Sequence, residues 1–267
     1  MFLYAIALLL LLTLALMGTA YWIANQLLYG RCQPITHTPA DHDLAYEDIS
    51  FQSKDGLTLK GWWIPVESGA ENSTQNPVVI ILHPWFGNRH GVCTDSQPWP
   101  RVFKTNVDLL NIARSFHQAD YTVLMFDFRN HGESQHGLGS GGLTEDQDVM
   151  GAVDYAFQRV AGNDDRIEPV VGVIGFGLGA TAALAAVGRE KGGDDVIRVF
   201  SGDTEGGSGF LTIPPLTVKR LQFLIAIQPA SPGVLIQGFI HQIAGPYGGL
   251  SKLVVPLVDW ICRWRGS

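Results

Sequence analysis

The sequence predicts an α/β fold in which a mostly parallel sheet carries helices on both faces, preceded by an N-terminal transmembrane helix. Short runs of consecutive apolar residues, at 77–82, 121–126 and 221–227, are typical of strands buried on both faces. Segments with apolar residues at helical spacing lie between these runs. Because strands that alternate with helices at this spacing form parallel sheets, the pattern favours an α/β domain.

The first 30 residues form the predicted transmembrane anchor, because they contain no charged side chain. About 20 consecutive apolar residues suffice to cross the hydrocarbon core of a bilayer as a helix, and residues 2–28 exceed that length. Tyr21, Trp22 and Tyr29 fit the aromatic belt at a membrane interface. We therefore expect residues 2–28 to contact membrane lipid in a single pass.

A cleaved signal peptide is the alternative interpretation of this segment, with the small residues 18–20 as its cleavage site. The segment lacks a basic n-region, and its apolar stretch continues past that site, so a retained anchor is favoured. Arg31 is the only basic residue close to the apolar stretch. The positive-inside rule therefore gives a slight preference for a cytoplasmic soluble domain.

The rest of the chain divides into a linker at 31–43, a core domain at 44–230 and a helical cap at 231–267. A single core is the default for 267 residues. The net charge of −7 argues against nucleic acid as a partner, because such proteins carry basic surfaces. The three cysteines are too widely spaced for a metal site or a disulfide framework: Cys32, Cys93 and Cys262. We therefore expect no metal and no cofactor.

The core opens with a predicted β-hairpin. Residues 44–53 and 57–64 alternate between polar and apolar side chains, as strands with one buried face do. Asp55-Gly56 joins them and is a strong signal for a tight hairpin turn.

Helices are predicted between and after the buried strands. The apolar stripe of residues 105–118 predicts one helix, and the capping box at 144–147 (Thr-Glu-Asp-Gln) predicts the start of another. A Gly/Ser/Asp-rich insertion follows at about 191–215. After the last strand, residues 234–244 and 250–264 are predicted to form two apolar helices.

A glycine-rich bend at 175–179 joins a buried strand, which begins at Val170, to a helix at 181–189. The bend reads Gly-Phe-Gly-Leu-Gly. In this strand, bend and helix context, the sequence Gly-x-Ser-x-Gly presents a serine nucleophile. Gly177 stands in the place of that serine, and glycine has no oxygen or sulfur to attack a carbonyl. We therefore predict that the bend holds no catalytic residue.

Four motifs fall in order at predicted strand ends. They are the opening hairpin at 38–62, the His-Pro-Trp-Phe-Gly-Asn-Arg loop at 83–89, the Asp-Phe-Arg-Asn-His-Gly-Glu-Ser turn at 127–134 and the bend at 175–179. Together they resemble the α/β-hydrolase superfamily, in particular its membrane-anchored branch related to S33 peptidases and acyl esterases. The resemblance covers about residues 38–230.

This resemblance implies ester or amide substrates and particular roles for the motif residues. The backbone amides of Trp85 and Leu178 are expected to form an oxyanion-hole-like pair. The other motif residues are expected to hold their loops and turns in shape, with Asp127, Arg129 and Ser134 acting through local hydrogen bonds. These structural residues are His83, Asp127, Arg129, His131, Gly132, Ser134, Gly175 and Gly179.

Departures from the family's pattern argue against hydrolysis, which needs a nucleophile, a base and a carboxylate that orients the base. Pro84 replaces the loop glycine and has no N–H to donate. In the family the acid follows the serine and the histidine comes last. The only histidine after Gly177 is His241, which precedes Asp259, and both lie in predicted helices. We therefore expect the chain to end inside the cap, before the strands that would bring the acid and the base.

Two other interpretations of the site stay open. Cys93 is a candidate nucleophile, although no partner base can be named. Gly175, Gly177 and Ala180 also fit the Gly-x-Gly-x-x-Ala dinucleotide fingerprint, with Asp203 as the ribose-binding acid. That fingerprint normally lies in the first strand–helix unit of its domain, whereas at least four predicted strands precede it in this chain. The hydrolase-like interpretation is therefore favoured.

We expect a membrane-anchored protein of α/β-hydrolase fold that is catalytically inactive and acts as a structural or accessory subunit. The apolar segment at 250–265 is expected to pack on the sheet and to present Trp260 and Trp264 to lipid or to a membrane-protein partner. The alternative is an active serine-hydrolase relative, esterase-like or peptidase-like, whose catalytic parts lie outside this chain.

Overall fold

The computed structural model of the chain describes residues 2–29, 33–66, 77–85, 87–92, 107–142, 144–162, 169–189, 199–203, 207–211 and 221–227. Several residues of the sequence analysis lie outside these ranges: Cys93, His241, Asp259, Trp260 and Trp264. The predicted cap at 231–267 lies outside them as well.

The described residues form four α-helices, one short 3-10 helix and ten strands. The helices are α1 (Phe2–Tyr29), α2 (Leu109–His117), α3 (Asp146–Ala161) and α4 (Leu178–Arg189), with the 3-10 helix at Pro39–His42. The strands are β1 (Glu47–Gln52), β2 (Thr58–Ile64), β3 (Val78–Leu82), β4 (Gly91–Val92), β5 (Val107–Asp108), β6 (Thr122–Phe126), β7 (Val171–Phe176), β8 (Val199–Asp203), β9 (Gly207–Leu211) and β10 (Leu221–Ile227).

Helix α1 is a candidate membrane span. Its segment Phe2–Trp22 has a mean hydropathy of 2.3 and is long and apolar enough to cross a bilayer. Signal sequences near an N-terminus share these properties. The helix therefore establishes the capacity to span a membrane, and it does not define on which side the following domain lies.

Six strands form one mixed sheet in the order β1-β2-β6-β3-β7-β10. The pairs β1–β2 and β2–β6 are antiparallel, and the other three pairs are parallel. Every residue of β3 and β6 is buried, which explains why these strands read as continuous apolar runs. The prediction of a mostly parallel sheet is confirmed.

Alternate residues of the central strands pack against two different helical layers. Val78, Ile80 and Leu82 belong to the apolar cluster that includes α3 and α4. Val79 and Ile81 point to the opposite face and pack in the cluster that includes α2. Helices therefore cover both faces of the sheet, as the sequence predicts.

The start of α3 differs from its sequence prediction. The predicted capping box does not form, because Glu145 is the N-cap residue and its side chain makes no cap hydrogen bond. Its carboxylate accepts hydrogen bonds from the backbone of Ser140 at 3.0 Å and of Gly142 at 2.7 Å instead. The Glu145 side chain thus stabilises the loop that precedes α3 and does not cap the helix. Side-chain hydrogen bonds to nearby backbone groups compete with capping in this way.

Part of the Gly/Ser/Asp-rich insertion is regular, which the sequence analysis does not predict. Strands β8 and β9 pair as an antiparallel hairpin. Glycine and serine have low strand propensity, so their abundance hides the alternation that marks a strand.

Candidate functional site

The glycine-rich bend is built as the sequence predicts, with a sharp turn between β7 and α4. Gly177 lies between these elements with φ +52°, a left-handed conformation that side-chain-bearing residues rarely adopt. A Cβ at Gly175 would lie 2.5 Å from the backbone nitrogen of Ala180, and one at Gly179 would lie 2.6 Å from Cβ of Leu82. Both flanking positions therefore require glycine, because strand and helix touch through their backbones.

The apex of the bend is less crowded than its flanks. A Cβ at Gly177 would lie 3.4 Å from Cβ of Pro84, which is ordinary van der Waals contact. The Gly177 N–H donates to the carbonyl of Ile227 at 2.9 Å, and its own carbonyl accepts from the hydroxyl of Thr181 at 3.2 Å. The turn is thus fixed by backbone hydrogen bonds on both sides of its apex, and the apex itself carries no side chain.

The predicted oxyanion-hole-like pair flanks this apex. Leu178 is the first residue of α4, and Trp85 follows Pro84, which packs against Gly177. The side chains of both residues are buried. That their amides act as a pair stays a prediction.

His83 uses both ring nitrogens inside the fold. Its Nε2 accepts a hydrogen bond from the Phe128 backbone at 3.1 Å, so the ring proton lies on Nδ1, which donates to the Pro84 carbonyl at 2.9 Å. Burial, together with the neighbouring His131 ring, lowers the pKa of His83 well below its usual range. The ring therefore stays neutral and joins the loop after β3 to the turn after β6.

His131 packs beside His83, with their ring centroids 5.0 Å apart. Its Nδ1 lies 2.9 Å from the carbonyl of Arg129 and donates to it, while Nε2 is buried without a hydrogen-bond partner among the described residues. Burial lowers the pKa of His131. Both histidines are thus buried neutral rings that support the turn.

Asp127 is fully buried and accepts three hydrogen bonds. Its Oδ1 accepts from the Arg89 backbone at 2.7 Å, and its Oδ2 accepts from Arg89 Nη1 at 2.8 Å and from the Glu133 backbone at 3.0 Å. A Cβ at Gly132 would overlap this carboxylate, so only glycine fits there. Burial raises the pKa of Asp127 to about 6, although the charge of Arg89 opposes that rise.

Arg129 is 2% exposed and lies between two carboxylates. Its Nε and Nη2 donate to Asp148 of α3, with the Nη2 to Oδ1 distance 2.6 Å. Nη1 and Nη2 each donate to Asp55 of the β1–β2 turn at 2.8 Å. One guanidinium therefore holds together the hairpin turn, the turn after β6 and α3.

Ser134 completes the same turn through local and neighbouring-strand contacts. Its hydroxyl donates to the Asp127 carbonyl at 2.6 Å and accepts from the Lys60 backbone at 2.9 Å. Ser134 and Asp127 both make local hydrogen bonds within the turn, since Asp127 also accepts from the Glu133 backbone. Asp127 and Arg129 in addition bind charged side chains far away in sequence, because a buried charge needs an opposite charge.

The sequence motifs do not indicate that Arg89, Asp55 and Asp148 are partners of this turn. The available signal was chemical: a buried aspartate and a buried arginine within one motif each require a counter-charge. Asp203, the proposed ribose acid, is the last residue of β8 and pairs with Gly207 of β9. In the described part of the chain, no group of three or more His, Cys, Asp or Glu residues is arranged to hold a metal ion.

No protein-family model matches the chain. It is 30% identical over 170 residues to the uncharacterized protein YfhR of Salmonella typhimurium, which covers 64% of this chain and 47% of that protein. It is 27% identical over 143 residues to YfhR of Escherichia coli K12, covering 54% and 42%. The chain thus spans about half the length of the curated relatives it matches.

Solved structures similar to the chain include enzymes described as esterases. The esterase Pf2001 of Pyrococcus furiosus has a TM-score of 0.45 and 24% identity, covering 63% of this chain and 56% of that one. The esterase EaEST of Exiguobacterium antarcticum has a TM-score of 0.37 and 15% identity, covering 57% and 44%.

Proposed function

We propose that this chain is a membrane-anchored protein of α/β-hydrolase fold that performs no serine-hydrolase chemistry and serves as a structural or accessory subunit. The observation that carries the proposal is Gly177. It occupies the left-handed apex of the bend, where a nucleophile would be displayed, and it offers no reacting atom.

The charged turn after β6 supports the same proposal. Asp127 and Arg129 are buried, and their hydrogen bonds go to side chains and backbone of the fold itself. Both ring nitrogens of His83 likewise form hydrogen bonds with backbone groups. Because these side chains already bind partners within the fold, they stabilise the loops at the carboxyl ends of β3 and β6 and are not available to bind a substrate.

The membrane part of the proposal rests on α1. A helix of this length and hydropathy would hold the domain at a bilayer surface through residues 2–28. Trp260 and Trp264 are proposed to face lipid or a membrane-protein partner, with the soluble domain on the cytoplasmic side.

An active serine-hydrolase relative is the second candidate function. It is favoured by the length comparison, because the chain spans about half of its curated relatives and parts of a catalytic site would lie outside it. A dinucleotide site is less well supported. Gly175 is closely packed against Ala180, and the Gly177 N–H already donates to Ile227, so neither glycine leaves its backbone open to a pyrophosphate.

Fluorophosphonate labelling of the full chain in detergent micelles tests the proposal. These probes react with activated serine nucleophiles, so we expect no labelling above that of the heat-denatured protein. Stoichiometric labelling would overturn the proposal, and mapping the labelled residue would then identify the nucleophile. An active serine hydrolase treated in parallel controls for the probe.

A further inference from the structure

An open cleft of about 720 Å³ lies at the antiparallel edge of the sheet. We call it the edge cleft; its polar lining includes Thr38, Asp48, Lys60, Trp62, Arg89 and Glu133. Sites for small molecules commonly have volumes of this order. The bend at Gly177 does not line it, whereas Arg89 and Glu133 connect it to the charged turn after β6.

Strand register places the cleft's polar groups on one face of the hairpin. Asp48 pairs with Trp62, and Ser50 pairs with Lys60, in the β1–β2 ladder. Because alternate residues of a strand share a face, these four side chains lie together. The Trp62 indole is buried and donates through Nε1 to Asp48 Oδ1 at 3.1 Å, which fixes the carboxylate beside the ring.

Two cationic donors of the cleft are not fully paired. Arg89 is 4% exposed, and its guanidinium carbon lies 4.5 Å from the centre of the Trp62 ring. Its Nη atoms bind Asp127 and Glu133, but Nε is buried without a hydrogen-bond partner among the described residues. Lys60 is exposed, and no described carboxylate lies within ion-pair distance of its ammonium. Lys60 is therefore the charged donor that an anionic oxygen in the cleft can reach, and such a charge-assisted hydrogen bond is stronger than one between neutral groups.

Two carboxylates on the same lining balance these cations. Asp48 is exposed, and no described cation lies within ion-pair distance of it. Glu133 pairs with Arg89 but is 61% exposed, so its carboxylate also faces solvent. The cleft therefore combines unpaired positive and negative groups, which suits a ligand that carries both charges.

The cleft also lies close to the end of α1. The side chain of Asn88 donates to the carbonyls of Gln33 and Pro34, at 3.3 and 3.2 Å, and so fixes the linker beside Arg89. α1 ends at Tyr29. Three residues separate it from Gln33, and an extended chain covers at most about 3.6 Å per residue. If α1 spans a bilayer, the cleft lies within reach of lipid headgroups.

We propose that the edge cleft binds a zwitterionic phosphodiester of the phosphoethanolamine type. Its phosphate oxygens accept hydrogen bonds from Lys60 beside the guanidinium of Arg89, and its ammonium binds the carboxylates of Asp48 and Glu133. This site lies apart from the bend and holds whether or not the chain is catalytically inactive. Only a lipid source for the ligand rests on the proposed anchor.

Titration with glycerophosphoethanolamine tests the site in the full chain, solubilised in a maltoside detergent that carries no phosphate. We expect saturable broadening of the ³¹P resonance of the probe. Lys60→Gln should weaken binding about tenfold, because it removes a charge-assisted hydrogen bond. Lys54→Gln is the matched control: it removes an exposed lysine whose ammonium pairs with Asp154, away from the cleft, and should leave binding unchanged.

A second variant separates the two ends of the ligand. Asp48→Asn keeps an oxygen for the Trp62 N–H but removes the charge that attracts the ammonium. It should weaken glycerophosphoethanolamine binding several-fold and leave glycerol phosphate binding unchanged, whereas Lys60→Gln should weaken both. Thermal unfolding of each variant confirms that it is folded. Absence of saturable binding, or equal affinities for the chain with and without Lys60, would overturn the proposal.

Nanodiscs distinguish the two sources of the ligand. With the chain in phosphatidylethanolamine nanodiscs, a lipid-bound cleft excludes the soluble probe, whereas phosphatidylglycerol nanodiscs leave it open. Equal binding of the probe in both discs identifies a soluble ligand. Either pattern supports the proposed recognition, and failure to bind the probe in detergent and in both discs contradicts it.

Discussion

Two turns follow the carboxyl ends of β6 and β7, the strands on either side of β3 in the sheet. The two turns are stabilised in different ways. The turn after β6, residues 127–134, is held by buried charges that bind partners elsewhere in the chain. The bend after β7 is held by glycines at 175, 177 and 179, which let two backbones touch. Ion pairs between side chains therefore fix the turn after β6, whereas the absence of side chains at the glycines permits the close backbone packing of the bend after β7.

This difference bears on the proposal that the bend has the form of a reactive site without its chemistry. The shape of the bend depends on Gly175 and Gly179, which cannot carry a Cβ. The apex residue contributes little to that shape, and a glycine there adopts φ +52° more readily than a serine does. The side chain at position 177 therefore matters little to the fold, whereas removal of Arg129 from the other turn would leave Asp148 buried and without its charged partner.

The largest expected effect is therefore in the charged turn. Arg129→Met leaves Asp148 buried and removes the partner of Asp55, so we expect the free energy of unfolding to fall by about 3–5 kcal/mol. Arg159→Met is the matched control, because that arginine pairs with Glu47 at the surface and should cost only about 0–1 kcal/mol. Urea unfolding of both variants measures the difference, and equal losses would show that the buried network is not what holds this turn.

An intermediate effect is expected in the flank of the bend. Gly179→Ala places a Cβ 2.6 Å from that of Leu82, so strand and helix must separate, at a cost of about 1–3 kcal/mol. Gly188→Ala lies in the same helix with nothing within 4 Å of its added Cβ. It should stabilise the protein by up to about 1 kcal/mol, since alanine favours a helix over glycine. Thermal unfolding measures both changes in stability. If Gly179→Ala destabilises and Gly188→Ala stabilises the protein, the requirement for glycine belongs to the bend and not to α4 as a whole.

The two turns also differ in how well the sequence predicts them, because one depends on local packing and the other on long-range pairs of side chains. The bend is predictable, because Gly-x-Gly-x-Gly after an apolar run is a local pattern and its cause is local packing. The partners of the charged turn are not, because Arg89 and Asp127 are 38 residues apart and Arg129 and Asp55 are 74 apart. Only the folded sheet brings such groups together.

Elements without a strong local pattern were also missed. The two-residue strands β4 and β5 contain too few residues to show alternation. The edge cleft depends on the β1–β2 register and on a linker that the sequence treats as irregular. Long apolar strands and amphipathic helices, by contrast, follow directly from periodicity.

A smaller effect is expected at the apex of the bend. Gly177→Ser has room for its Cβ beside Pro84, and the left-handed conformation should cost about 1–2 kcal/mol. The variant should fold and still show no burst of product with an activated ester, because a serine without a base and an orienting acid is a weak nucleophile. Stopped-flow release of p-nitrophenol measures this. A stoichiometric burst would instead favour an active relative whose base is already in place.

The smallest expected effect is a pH dependence that arises near the charged turn and not in the bend. His83 has a lowered pKa, so below pH 6.5 the unfolded state binds more protons, and stability falls with falling pH by at most about 2 kcal/mol between pH 6.5 and 5. Asp127 has a pKa raised to about 6, so between its ordinary value and 6 the folded state binds more protons, and stability rises as pH falls. The lowered pKa values of His131 and His90 act with the sign of His83, and the raised pKa of Asp148 acts with the sign of Asp127.

These opposing contributions should partly cancel in the native chain between pH 7 and pH 5. His83→Asn removes one destabilising contribution, so on acidification its free energy of unfolding should rise relative to that of the native chain by about 1–2 kcal/mol. Gly177→Ser, which introduces no group that titrates in this range, should leave the native profile unchanged apart from a constant offset. Urea unfolding at pH 5, 6 and 7 compares the slopes. A parallel profile for His83→Asn would mean that the imidazole is charged in the folded chain, and the neutral bridging role assigned to it would be wrong.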